Sequence, residues 1–149
     1  MTFASPASAP PLSPENLAEL IVSRERAALV RWCQGDPSGF LEISAPDVVY
    51  FDPFLERRLD GWQALAAHYA PLRGTIFAER FELLNPVVQG GGDLAVLSFN
   101  FVSYDKNGET QRWNCTEAYR REGEDGRWMI IQTHWSFTHP NAPSSAPPA

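Results

Sequence analysis

Residues 109–139 read ETQRWNCTEAYRREGEDGRWMIIQTHWSFTH. Two runs rich in aromatic and β-branched residues flank the polar, glycine-bearing stretch 122–126, which is the pattern of a long β-hairpin. Side chains alternate across a strand, so Trp113, Cys115, Glu117 and Tyr119 share one face, and Asn114, Thr116, Ala118 and Arg120 the other. The second face suits water or a partner. On the first, one carboxylate, Glu117, stands in an otherwise apolar row, and a buried carboxylate must be neutralised, paired or used. The return strand offers two rows that periodicity does not rank. One is Met129, Ile131, Thr133, Trp135 and Phe137; the other is Trp128, Ile130, Gln132, His134 and Ser136. Both hold large apolar groups, so cover is expected on both sides.

Working outward, the 149 residues make one domain with a sizeable core. The hydrophobic share is 44% and the charged share 20%, as in an ordinary globular protein. A net charge of −6 without a basic run argues against nucleic acid or an anionic membrane as partner. No apolar stretch reaches the length of a membrane span, and residues 1–12 lack the basic start and apolar run of a signal peptide. Cys33 and Cys115 have neither metal-ligand nor redox spacing. Buried free thiols in a reducing cytoplasm are the expected reading.

Residues 1–13 and 140–149 are expected as disordered tails rich in Ala, Ser and Pro, around a single domain at 14–139. Ser13-Pro14-Glu15 supplies a cap, a first-turn proline and an early acid for a helix to about Gln34, with Leu17, Leu20, Ile21, Ala28 and Trp32 near one stripe. Asp36-Pro37 starts a short helix over 38–44. Val48 to Asp52 reads as a strand that Pro53 ends. Asp60 is expected to cap a third helix, 61–70. Strands over 77–89, 94–105, 110–121 and the final run follow, and Asn85-Pro86 predicts an edge or a bulge in the first of them. Helices first and antiparallel strands last give an α+β fold: three N-terminal helices close a curved, mostly antiparallel sheet around a concave interior.

Two segments carry a resemblance. Gly35-Asp36, Ala45-Pro46-Asp47-Val48-Val49-Tyr50-Phe51-Asp52-Pro53, Gly61 and Tyr69 resemble ketosteroid isomerase in order and spacing. Thr116-Glu117-Ala118-Tyr119-Arg120-Arg121, Arg127-Trp128 and His134-Trp135-Ser136 are similar to SnoaL-like proteins and to the association domain of calcium/calmodulin-dependent kinase. All belong to the nuclear transport factor 2-like superfamily, whose cone-shaped fold hosts many activities.

The resemblance implies that Asp52 stands where the isomerase keeps its general base. It places Glu117 at the isomerase's protonated acid, a worked example of a carboxylic acid kept neutral by an apolar site. The isomerase's catalytic tyrosine falls on Ala28, which donates nothing, and Tyr69 takes the place of a supporting tyrosine. Asp52 and Glu117 are therefore the candidate catalytic pair. Tyr50, Tyr69, Trp113, Trp135 and His134 are the candidate binding residues. Each has a plainer reading: Asp52 as a turn former, Glu117 as an ion-pair partner of Arg73 or Arg112, His134 as a structural donor, and the tryptophans as core. The expected function is acid/base chemistry of isomerase, cyclase or dehydratase type on a small apolar carbonyl compound in the cavity, within a homodimer. A non-catalytic small-molecule-binding or association domain is the alternative. No metal-ligand cluster, phosphate loop or nucleophile-base motif is present, and no cofactor is expected.

Overall fold

Ser13 sets the first helix: its side chain accepts from the Asn16 amide at 3.1 Å and Pro14 follows at the first helical position. The computed structural model describes residues 11–139. Its helices are α1 (Pro14–Trp32), α2 (Ser38–Glu42) and α3 (Trp62–Tyr69), the last running into a 3-10 turn, Ala70–Leu72. Its strands are β1 (Ser44–Phe51), β2 (Leu59–Asp60), β3 (Arg80–Gly91), β4 (Leu94–Tyr104), β5 (Thr110–Glu122) and β6 (Arg127–Phe137). The tails expected at 1–10 and 140–149 lie outside the described residues; 11–13 are exposed.

The strands form one open, curved sheet in the order β2-β1-β6-β5-β4-β3, antiparallel except where β1 runs parallel to β6. Helices lead, strands follow, and the expected α+β class holds. α1 buries Ile21, Glu25, Ala28 and Leu29 against the sheet, while α3 buries Leu65 and Tyr69. The enclosed core joins these to Leu97, Phe99, Phe101, Cys115 and Tyr119 on the concave face.

Besides the register break between Ser44 and Val49 in the β1–β6 pairing, two bulges shape that face. Asn85, at φ 52°, and Pro86 interrupt the β3–β4 register between Leu84 and Val87, on the sheet's edge strand, where a missing ladder donor is tolerated. The second bulge falls on Ile131: Ala118 pairs with Gln132, but Tyr119 with Ile130. One extra residue flips every later side chain to the other face. The concave row of β6 therefore takes Thr133 and Trp135 on one side of the bulge, and Ile130 and Trp128 on the other. This ranks the two rows. Trp128 and Ile130, 5% and 1% exposed, are core and do not form an apolar outer row.

Asp60 is not a helix cap. It pairs with Val49 as part of β2 and forms an ion pair with Arg58, and Gly61 starts α3 at φ 93° while donating its N–H to the Val48 carbonyl. A side chain is strained at that angle, so glycine suits the corner.

Candidate functional site

The mouth of the cone is a cavity of about 640 Å³, walled by helices on one side and by the concave faces of β4 and β5 on the other. That volume is in the range that holds a drug-sized ligand. Phe54 and Phe77 also line it and are 73% and 63% exposed, which places them at the opening. Trp113 and Trp135 lie edge-on, 6.1 Å apart, within the wall.

Asp52 follows directly from the end of β1, where Pro53 stops the ladder. Its side chain, only 7% exposed, lines the cavity and is held by three donors. The Tyr50 hydroxyl and His68 Nε2 each lie 2.9 Å from Oδ2, and the Phe54 amide donates to Oδ1 at 2.8 Å. A carboxylate only accepts, so His68 donates from Nε2. Tyr50 and Asp52 come to the same side two residues apart, at the end of β1 and just beyond it, and His68 arrives from α3. Burial, then the charges of Tyr69 and Asp52, push the Tyr50 hydroxyl far above its ordinary value, so it stays a donor. Tyr69, buried behind it with the rings 5.6 Å apart and edge-on, is raised by burial too.

Glu117 does not reach this wall. It is 0% exposed, deeper in the core, with Glu25 from α1, Cys115 and Tyr119. The Tyr119 hydroxyl lies 2.6 Å from Glu25 Oε2 and 3.2 Å from Glu117 Oε2, and the Cys115 thiol approaches Glu117 Oε1 at 3.7 Å. Burial first, then the charge of Glu25, raises Glu117 well above the ordinary 4.5. Burial raises Glu25 as well, and its Oε1 accepts from no other described side chain. Two acids enclosed together cannot both ionise cheaply, and one retained proton between them satisfies the pair.

The structure thus gathers Asp52, Tyr50, Tyr69, Trp113 and Trp135 at one cavity and separates two expected residues from it. Glu117 is sealed beneath. His134 is exposed on the outer face, opposite Thr116 and stacked on Phe51 at 5.0 Å, because its row points outward beyond the Ile131 bulge. Neither Arg73 nor Arg112 pairs with Glu117: Arg73 serves Asp36 and Ser38. Sequence reasoning missed His68 and Glu25. Glu25 had a readable signal, since it stands at helical spacing between Ile21 and Ala28 on the buried stripe of α1.

An open curved sheet, closed by N-terminal helices over a hollow with a titratable wall, defines a protein of the nuclear transport factor 2-like superfamily. Within it, the chain belongs to the SnoaL-like domain family, whose profile matches residues 26–131. A Parabacteroides distasonis protein provisionally called a ketosteroid isomerase is 44% identical, with 85% of this chain and 91% of that one covered and a TM-score of 0.76. An NTF2-like protein of unknown function from Pseudomonas putida is 26% identical over 82% of this chain and 87% of that one, at 0.72. The association domain of CaMKII from C. elegans, 20% identical over 83% and 97%, shares the fold at 0.68. None of the curated proteins matches. Among the described residues, no helix is long and apolar enough to cross a membrane.

Proposed function

We propose that this protein moves a proton on a small apolar carbonyl compound held in the cavity, in a reaction of isomerase, cyclase or dehydratase type. The observation that carries the reading is the Asp52 carboxylate, nearly buried, held by Tyr50, His68 and the Phe54 amide in an aromatic wall. Oδ2 accepts two of these bonds and Oδ1 only one, so Oδ1 retains an acceptor site for a substrate proton. Tyr50 and His68, both on the opposite oxygen, hold the carboxylate in place while Oδ1 gains and returns that proton. The resemblance to ketosteroid isomerase supports the same choice of base. Glu117, enclosed and off the wall, is not assigned to the ligand, and Ala28 offers no hydrogen. The enolate oxygen therefore lacks the acid donor of a dedicated isomerase, and turnover is expected to be slow; one such donor is worth about 10²–10³ in rate.

The test needs no knowledge of the natural substrate. Cyclic ketones and enones incubated with the protein in D₂O should exchange hydrogen beside the carbonyl faster than in its absence, read by NMR. Binding without any exchange across the panel would leave the small-molecule-binding reading in its place. The two buried free thiols, Cys33 and Cys115, suit a cytoplasmic setting.

Assembly as a homodimer through the outer sheet face is part of the same reading. Leu94 and Val96 on β4 and Val87 on β3 are 51%, 36% and 53% exposed, beside a polar ladder in which Asn100 donates to Asn114 at 2.7 Å. Light scattering at micromolar concentration should give twice the chain mass, and a monomer mass there would refute it.

A further inference from the structure

The concave face of the β4–β5 hairpin changes character along its length. Directly opposed residues of an antiparallel pair share a face. Passing from the core toward the turn, the opposed pairs are Phe99 with Cys115, Phe101 with Trp113, and Ser103 with Gln111. Asp105 and Glu109 come next, joined through the Asp105 amide and the Glu109 carbonyl at 3.0 Å. Phe101, Trp113, Ser103, Gln111, Asp105 and Glu109 all line the cavity, so its wall runs from rings through neutral polar groups to two carboxylates. Asp105 Oδ1 closes the turn by accepting from the Asn107 and Glu109 amides at 2.8 and 2.9 Å, and Oδ2 has no part in those bonds. Among the described residues, no lysine or arginine lines the cavity; Lys106, at the apex of the turn, is exposed and outside it. With Asp52 at the other end, every formal charge on the wall except a protonated His68 is negative.

We propose that the carbonyl compound the cavity selects is apolar only over a flat ring system, which lies against Trp113 and Trp135, and carries a protonated amine at its other end, at Asp105 and Glu109. This names the ligand class for the cavity proposed above and rests on that cavity being a binding site, though not on proton transfer occurring there. Carboxylates are disfavoured because nothing on the wall compensates them, whereas an ammonium meets one carboxylate oxygen outside the turn's own bonds and a second, more exposed acid. Aromatic walls add attraction for a cation seated over a ring face.

The experiment uses three fluorescent probes with one ring system: 1-pyrenemethylamine, 1-pyrenemethanol and 1-pyrenecarboxylate, titrated into the full chain at low salt. The amine should bind about tenfold tighter than the alcohol and the carboxylate weakest, with the preference shrinking as salt rises. In the double variant Asp105→Asn/Glu109→Gln, which keeps an acceptor for the turn amides, the amine-to-alcohol ratio should fall to about one. Because the result is a ratio, partial loss of folded protein does not mimic it. If the alcohol or the carboxylate binds as tightly as the amine, the charge selection is wrong and the cavity stands. Persistence of the amine preference in the double variant also overturns it. If no probe binds at all, both this inference and the ligand-binding reading fall.

Discussion

Asp52→Asn should lower carbonyl-adjacent hydrogen exchange by about 10²–10⁴-fold, the usual contribution of a positioned general base, while ligand affinity changes far less. The asymmetry follows from the geometry. Asp52 accepts from Tyr50, His68 and the Phe54 amide, and it presents little surface to a ligand. Asparagine keeps one acceptor oxygen and turns two N–H donors toward groups that already donate, so it cannot take the proton. A second variant separates chemistry from positioning. His68→Leu leaves the Asp52 carboxylate in place and removes one donor to it; a hydrogen bond to a charged group is worth about 1.5–3 kcal/mol. Its rate should drop by roughly ten- to a hundredfold. Undiminished exchange in Asp52→Asn would remove Asp52 from the mechanism.

Much of the fold was legible because its signals are local. Ser13-Pro14 starts a helix whatever else the chain does, and Asn85-Pro86 takes a donor out of the β3 ladder. The turns at 90–93, 105–109 and 122–126 punctuate the strands by composition. Less local features were not readable. The parallel pairing of β1 with β6 brings together residues some 80 positions apart, and no periodicity reports it. β2 is two residues long and exists only because Val49 and Tyr50 offer it an edge. The Ile131 bulge breaks no composition rule, yet it decides which tryptophans are core.

The site divides along the same line. Tyr50 and Trp113 sit on strands whose alternation fixes their side, Asp52 comes one residue after β1, and Tyr69 lies on the buried stripe of α3. His134 also lies on a strand, but on the row opposite Trp135, and periodicity alone did not rank those rows. His68 could not be found from its own neighbourhood: α3 offers it no reason to be anything but partly solvated. Its partner comes from the end of a strand sixteen residues earlier. Glu25 could have been found, since an acid on an apolar helical stripe poses the same question as Glu117 on its strand, and the two acids answer each other.

That pairing makes Glu117 the source of the second large effect, which concerns stability. Burial, then the charge of Glu25, keeps Glu117 protonated in the folded chain at pH values where the unfolded chain, near the ordinary 4.5, has lost the proton. The sign follows by linkage. Below 4.5 both states hold the proton and the cluster's contribution is intact. Above it the unfolded state binds fewer protons, so stability falls as pH rises, until the folded-state value is reached. For each proton held only by the folded state the loss is about 1.4 kcal/mol per pH unit. Glu117→Gln preserves the shape and supplies a permanent N–H donor for Glu25, while its carbonyl still accepts from Tyr119 or Cys115. Denaturant melts between pH 5 and 9 should therefore show the wild type losing stability steeply and the variant much less. The two should be similar near pH 5, with the variant the more stable at pH 8 and above. Tyr119→Phe should behave oppositely, costing about 1–3 kcal/mol by removing the donor that reaches both acids. Parallel pH curves for wild type and Glu117→Gln would mean that Glu117 is ionised in the fold, and the shared proton would have to be abandoned.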